Sequence, residues 1–251
     1  MKNKKMLTLF AVTMLAAVSV PSVSLAAPVG DIQSNGRVSF QADKSATDPK
    51  NPLDPGEKKP GTPLDPIDPN GKVTPGTNGP LSLDFVSSFS FGEANITSDD
   101  ATYFAKAQSF TQEDGTKVER PNFVQVSDKR GTFEGWTLKV KQDKQFAVID
   151  DATKELEGAE LSFLNASTAS TVDSKYAPDG QSEFTLTPGS SQIAPLTAAK
   201  DKGMGTWIYR FGDEATKEKS VALSVPGKTP KMAKEYTTSL TWSLETTPTN
   251  P

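Results

Sequence analysis

Cysteine and histidine, on which most nucleophilic catalysis and zinc binding depend, are both absent from this chain of 251 residues. Without them the chain can form no Ser-His-Asp triad, no Cys-His pair and no zinc site of the Cys/His type. No glycine-rich phosphate-binding loop follows a predicted strand. The composition therefore excludes the commonest hydrolase and metalloenzyme sites.

Adjacent carboxylates are the remaining groups that could do acid–base chemistry, as paired carboxyl groups do in glycoside hydrolysis. Candidate pairs of this kind lie at residues 99–100, 150–151 and 213–214. All three lie among turn-forming residues, where short acidic side chains usually bond to the local backbone or to water. We therefore predict a protein with no catalytic residues, no metal site and no cofactor.

One Trp-x-Leu triplet lies in the middle of the chain and has the alternation of a β-strand. Successive side chains on a strand point to opposite faces, so Trp136, Leu138 and Val140 share one face. Thr137 and Lys139 lie on the other face. This pattern predicts a half-buried strand with its polar side toward water.

A second Trp-x-Leu triplet lies near the end of the chain, in a predicted strand over residues 236–246. Leu240, Trp242 and Leu244 occupy one face, which Tyr236 extends toward the start of the strand. Ser243 and the neighbouring threonines lie on the opposite face. The chain has three tryptophans, and two of them therefore occur in the same strand context.

The triplets have two interpretations that their spacing does not distinguish. Burying a tryptophan or leucine side chain contributes roughly 1.5–3 kcal/mol, which would explain both triplets as core. Alternatively, a partly exposed indole could stack on a sugar ring or pack on a partner protein. If the motif builds the sheet, the opposite face could bind instead. In that case Thr137, Lys139, Thr241 and Ser243 would face glycan hydroxyls or peptide amides.

In their order and their flanking residues, the two triplets resemble the proximal and distal motifs of the WxL domain, a cell-surface module of low-GC Gram-positive bacteria. The resemblance covers nearly the whole chain, from the signal peptide onward. The proximal motif corresponds to Trp136, Thr137 and Leu138. The distal motif corresponds to Tyr236, Leu240, Trp242, Ser243 and Leu244.

The resemblance implies a secreted protein attached non-covalently to the Gram-positive cell wall by peptidoglycan binding, with a contribution to adhesion. Family members are also associated with membrane-anchored surface partners and with host matrix proteins. An alternative is a structural subunit of a surface complex, held by a membrane-anchored partner protein. A wall hydrolase is disfavoured because the carboxylate pairs that could catalyse hydrolysis lie among turn-forming residues.

The first 26 residues are typical of a secretory signal. Lys2, Lys4 and Lys5 precede an apolar run over residues 6–20, and small residues at 24–26 suit cleavage. Removing this segment leaves 24 basic and 31 acidic residues, a net charge of −7. An acidic chain without a basic stripe is a poor partner for nucleic acid or anionic membranes. No later segment is apolar enough to span a bilayer.

The mature chain is predicted to have three parts. Residues 27–47 form an N-terminal segment with a short strand around Val38 and Phe40, and residues 48–80 form an Asp/Pro-rich linker. The linker's proline spacing predicts a mobile spacer without fixed contacts. Residues 81–251 form the WxL-like domain. Its many short strands with Gly/Pro punctuation predict an all-β, antiparallel, sandwich-like fold.

Overall fold

The computed structural model describes residues 30–246, and the predicted signal peptide lies outside them. The described chain is all-β: it contains no α-helix, and its one helical element is the 3-10 turn Ser174–Tyr176. The chain divides between residues 39 and 40, and all the strands of the described residues belong to the second unit. The all-β antiparallel prediction is confirmed.

The first nine strands are β1 (Thr62–Pro63), β2 (Leu81–Val86), β3 (Ala101–Phe104), β4 (Gln108–Thr111), β5 (Lys117–Arg120), β6 (Asn122–Asp128), β7 (Trp136–Gln142), β8 (Ala147–Val148) and β9 (Asp151–Glu155). The others are β10 (Glu160–Phe163), β11 (Ala166–Ala169), β12 (Asp179–Gly180), β13 (Phe184–Leu186), β14 (Ile193–Ala198), β15 (Gly205–Phe211), β16 (Val221–Val225), β17 (Tyr236–Thr237) and β18 (Leu240–Thr246).

Three four-stranded antiparallel sheets supply the main core. The Trp-x-Leu sheet has the order β12-β14-β7-β18, the central sheet β11-β15-β6-β2, and the third sheet β13-β10-β16-β3. Two smaller sheets have the orders β1-β4-β5 and β17-β8-β9. None of the sheets in the described chain closes into a barrel. The apolar faces of the three larger sheets meet in one cluster that includes Trp136, Phe163 and Tyr209.

The proline-rich residues 48–80 are fixed to the domain, and the prediction of a mobile spacer without fixed contacts is wrong. The backbone N–H of Lys50 donates to Gln125 Oε1 at 2.8 Å. The guanidinium of Arg210 donates to the carbonyl oxygen of Pro52 at 3.1 Å. Further along, β1 pairs with β4. This segment is therefore part of the fold.

The reason for this packing is that the central sheet is buried on both faces. Every residue of β6 is buried. One face joins the main core, and the other carries a second cluster of Phe85, Phe110, Phe123 and Ile208. A second apolar face needs a cover, and the proline-rich segment bonds to side chains across this region. The proline spacing contained no information about which surface the segment would contact.

The predicted short strand around Val38 and Phe40 is not observed. Residues 30–61 belong to no strand. The side chains of Val38 and Phe40 are 74% and 90% exposed. Two alternating apolar residues are too few to bury a strand unless a partner strand is present.

Replacing Arg120 with alanine tests whether the proline-rich segment is held in place. The guanidinium of Arg120 donates to Pro60 O, forms a 3.1 Å ion pair with Glu57, and lies 4.6 Å from the ring centroid of Phe110. We expect Arg120→Ala to lower the free energy of unfolding by about 2–3 kcal/mol, since it removes charge-assisted hydrogen bonds from a largely buried site. Urea unfolding measures the loss.

Lys59 provides the control, because its 2.8 Å ion pair with Glu113 is exposed on both sides. We expect Lys59→Ala to change the unfolding free energy by less than about 0.5 kcal/mol. Equal effects of the two substitutions would contradict the idea that residues 48–64 are anchored through Arg120.

Candidate functional site

The two Trp-x-Leu triplets lie side by side in the structure. β18 pairs with β7 in antiparallel register, so that Trp242 lies opposite Val140 and Leu244 lies opposite Leu138. The pairing runs without a shift along the full length of both strands. Two motifs that are a hundred residues apart in the sequence therefore form one continuous surface.

Trp136 belongs to the core. Its side chain is fully buried, and its indole N–H donates to the carbonyl oxygen of Gly203 at 2.9 Å. Gly203 has a positive φ of 74°, and a Cβ at this position would lie 2.6 Å from the indole nitrogen. Only glycine allows so close an approach. The core interpretation is therefore confirmed for Trp136.

Trp242 also points inward but is only half-buried. Its ring packs edge-on against Phe163, with centroids 6.1 Å apart, and lies 6.4 Å from the ring of Phe211. Leu240 and Leu244 pack on the same core and are partly exposed as well. The difference follows from position, because β7 lies inside the sheet and β18 lies at its edge.

The prediction that Tyr236 extends the face of the distal strand is wrong. Tyr236 belongs to the separate strand β17, which pairs with β8. Its ring packs on a smaller cluster, and its hydroxyl accepts a 2.9 Å hydrogen bond from the N–H of Met232. The strand is interrupted at Thr238, whose hydroxyl donates to Lys144 O at 2.6 Å. Polar alternation alone did not reveal that break.

The opposite side of β7 and β18, here called the outer face, is polar. Two cross-strand contacts organise it: Lys139 Nζ lies 2.6 Å from Glu245 Oε2, and Gln192 Nε2 donates to Ser243 Oγ at 3.0 Å. The predicted binding residues lie together on this face: Thr137, Lys139, Thr241 and Ser243.

Asp143 connects the start of β18 to β7 through its carboxylate. The hydroxyls of Thr241 and Ser239 donate to it at 2.9 and 3.0 Å, and Lys141 Nζ lies 3.1 Å away. The hydrogen bond from Lys141, followed by those from Thr241 and Ser239, holds the pKa of Asp143 below its ordinary value. Sequence reasoning missed Asp143, although counting by twos from Lys139 reaches it.

Two cavities occur elsewhere, and no residue of the Trp-x-Leu sheet lines either one. A cavity of about 240 Å³ lies between residues 46–49, residues 73–78 and β2. Another, of about 380 Å³, lies between residues 155–160 and residues 186–188. Neither cavity therefore belongs to the outer face.

Several carboxylates of the pairs considered for catalysis accept hydrogen bonds from protein groups: Asp151 from Thr153, Asp213 from Thr216, and Asp100 from the N–H of Gly227. Asp151 and Asp213 both have a lowered pKa, caused chiefly by hydrogen bonds from the hydroxyls of Thr153 and Thr216. A general acid needs a raised pKa, so neither aspartate suits that role. In residues 30–246 there is also no cluster of three or more metal-binding side chains.

A comparison with known protein families supports the resemblance that the two Trp-x-Leu motifs indicated. A family model described as "WxL domain surface cell wall-binding" matches residues 27–248. The chain belongs to this family. No curated protein and no solved structure matches the chain.

Membership defines the protein's location and its general activity. As a WxL protein it is a cell-surface protein that binds the cell wall non-covalently. The WxL family is not known as catalytic. No helix in residues 30–246 is long and apolar enough to cross a membrane. The family match begins at residue 27, directly after the predicted signal.

Alanine substitutions of the two motif tryptophans should differ in severity. Trp136→Ala should cost about 3–5 kcal/mol of unfolding free energy, because it opens a cavity in a fully buried site. Trp242→Ala should cost less, about 1.5–3 kcal/mol, because the ring is partly exposed. Thermal unfolding measures both, with melting shifts on the order of 10 °C for the first. A Trp136→Ala protein as stable as the parent would contradict the core assignment.

The attachment of β18 should weaken in acid. A carboxylate whose folded pKa is lowered stabilises the fold above its unfolded pKa of about 4, and this stabilisation is lost as the pH falls through the folded pKa. The melting temperature of the parent should therefore exceed that of Asp143→Asn at pH 5–7, and the gap should shrink below about pH 4. A difference in melting temperature that stays constant with pH would contradict the role of Asp143 in holding β18.

Proposed function

We propose that this WxL protein binds peptidoglycan through the outer face of the Trp-x-Leu sheet. One observation carries the proposal: the two family motifs pair as neighbouring strands and place their apolar residues inward and their polar residues outward. The tryptophans and leucines hold the two strands flat against the core. The motif thus builds the binding surface without itself being the contact.

The chemistry of the outer face suits a wall polymer. Thr137, Ser243 and Thr241 carry hydroxyls that can donate to and accept from glycan hydroxyls or stem-peptide amides. Lys139 and Lys141, which are paired with Glu245 and Asp143, keep further N–H donors for hydroxyl and carbonyl oxygens of the polymer. Strands β7 and β18 each run for seven residues, about 20 Å, so an extended ligand can lie along them.

The net charge argues against a purely ionic attachment. The mature chain carries −7, and the lysines of the outer face are already paired with Glu245 and Asp143. Binding should therefore survive moderate salt and be reversed by chaotropes, which act on hydrogen bonds and apolar contacts. Catalysis forms no part of this proposal, because the WxL family is not known as catalytic and local hydrogen bonds lower the pKa of Asp151 and Asp213.

A second role, as a structural subunit held by a membrane-anchored partner protein, is supported by one feature. β18 is an edge strand, and edge strands are common sites of strand addition by a partner. Adhesion to host matrix would then follow from that assembly or from the domain surface. Sacculi free of other proteins separate the two roles, because direct wall binding needs no partner.

A cross-strand pair on the outer face provides the decisive variant. Lys139 and Ser243 lie directly opposite each other, and we expect Lys139→Ala combined with Ser243→Ala to weaken binding at least tenfold. The measurement is depletion of the mature protein from solution by purified sacculi stripped of teichoic acid. The melting temperature of the double variant should fall by only a few degrees, because both side chains are solvent-accessible.

The matched control is another cross-strand pair on a different sheet. Ser162 and Thr185 lie opposite each other on β10 and β13, and their hydroxyls are 2.8 Å apart on an exposed surface. Ser162→Ala combined with Thr185→Ala should leave binding unchanged. Equal binding by both double variants would reject the outer face, and release of the parent by a few hundred millimolar salt would make the attachment ionic.

A further inference from the structure

The free side of β18 is an open hydrogen-bonding edge. The N–H of Asp143 donates to Ser239 O at 2.9 Å, and residues 143 and 239 continue the register of β7 and β18. In an antiparallel ladder the hydrogen-bonded pairs alternate with non-bonded pairs. The bonded residues of β18 are therefore 241, 243 and 245. The backbone groups of Leu240, Trp242 and Leu244 point away from β7, and within residues 30–246 no strand pairs with them.

This edge is also incompletely buried on its apolar side. Trp136, Leu138 and Val140 of β7 are fully buried, because β14 and β18 lie on either side of them. The equivalent side chains of β18 are only partly buried. The same residues thus leave both their backbone groups and part of their apolar surface uncovered. One more strand beside β18 would cover both.

The chain contains an unpaired segment of matching pattern. Residues 37–41 alternate polar and apolar side chains, with Val38 and Phe40 largely exposed, and they belong to no strand. Asn35-Gly36, a dipeptide typical of tight turns, lies just before the segment. An exposed apolar alternation in a secreted protein is a surface that association would cover.

We propose that residues 37–41 of a second copy of this chain add to β18 as an antiparallel strand. In the register that matches the two patterns, Val38 lies opposite Leu244 and Phe40 lies opposite Trp242. Leu244 and Trp242 are the residues whose N–H and C=O groups face the open edge, so both pairs form two backbone hydrogen bonds each. The apolar side chains of the added strand then extend the inward face of the Trp-x-Leu sheet.

The same register matches the polar residues. Ser39 lies opposite Ser243, and Arg37 lies opposite Glu245 on the outer face. Glu245 already contacts Lys139 through Oε2, and its other carboxylate oxygen is available because the side chain is about half exposed. Opposite charges in a directly facing pair favour strand pairing, whereas a shift by one residue would turn Val38 and Phe40 toward the polar face.

A single five-residue strand makes a small interface, well below the roughly 1,200 Å² of stable complexes. We therefore expect weak association in dilute solution. Copies held on one wall are confined near each other, and confinement raises the effective concentration of the second strand. The interaction would thus link neighbouring copies at the cell surface and leave the outer faces of their sheets free for the wall.

Cysteine cross-linking tests this arrangement directly, because the chain has no cysteine of its own. A non-hydrogen-bonded antiparallel pair has a Cα separation of about 4.5 Å, which suits a disulfide. Mature Ser39→Cys protein mixed with mature Ser243→Cys protein, at high concentration under mild oxidation, should form a disulfide heterodimer. Replacing Ser243→Cys with Thr185→Cys, an exposed position on the third sheet, should reduce that heterodimer at least tenfold.

A pair of proline variants tests the hydrogen bonds themselves. In the proposed register the N–H of Phe40 donates to Trp242, whereas the N–H of Ser39 faces away. Phe40→Pro should abolish concentration-dependent association, measured by sedimentation, while Ser39→Pro should retain it.

Hydrogen exchange provides a second readout. The amides of Leu244 and Trp242 should exchange at least tenfold more slowly at millimolar than at micromolar concentration of the parent.

The possible results distinguish between the candidate partners of the open edge of β18. Heterodimer formation together with the proline difference supports a second copy. Cross-linking only within one molecule of a Ser39→Cys, Ser243→Cys double variant would show that each segment covers its own edge, and would overturn the proposal. Absence of both cross-linking and protection would overturn it as well and would leave the edge to another protein. Sacculus binding is measured separately, so failure here leaves the proposed wall binding intact.

Discussion

Both the main core and the polar outer face depend on the in-register pairing of β7 with β18. It places Trp242 beside Val140 and Leu244 beside Leu138, so that two sequence motifs share one apolar face. That face closes the main core against the central and third sheets. The pairing also fixes what lies on the other side, because the alternation of a strand leaves no freedom to turn individual side chains. The buried triplets and the polar outer face are therefore consequences of one geometric arrangement.

This arrangement explains how a family motif made of core residues can accompany a binding function. Trp136 is fully buried and held through its indole N–H to Gly203, so it cannot touch a polymer outside. Its contribution is the position of β7. Lys139 and Ser243, which face outward, can vary in chemistry while the inward residues keep the strands in place. In the proposed function, surface recognition and core packing thus fall on alternate residues of the same two strands.

Much of the central arrangement could be predicted from the sequence. Alternation around Trp136 and Trp242 indicated strands with one polar side, and both strands occur with that polarity. Tyr236 was misplaced because its strand ends where Thr238 bonds to the backbone of Lys144, a contact between residues 94 positions apart that no local pattern contains.

Residues 48–80 were misjudged for a related reason. Their prolines predicted a spacer without fixed contacts, but the surface that the segment covers is built by β4, β6 and β15. Periodicity describes which side chains share a face. It does not describe what lies above that face.

The anchoring of the proline-rich segment has a consequence for how the chain acquires its structure. The carbonyl oxygen of Pro52 accepts a hydrogen bond from Arg210, 158 residues away. Likewise, β7 pairs with β18, a strand about a hundred residues later in the sequence. A polypeptide delivered across a membrane emerges from its beginning, so the early residues arrive before the strands they cover. Folds made of such distant contacts form slowly, because loop closure must come before any gain from packing. Until β18 has crossed, one edge of β7 has no partner strand, so the Trp-x-Leu sheet can be completed only after residues 240–246 have emerged.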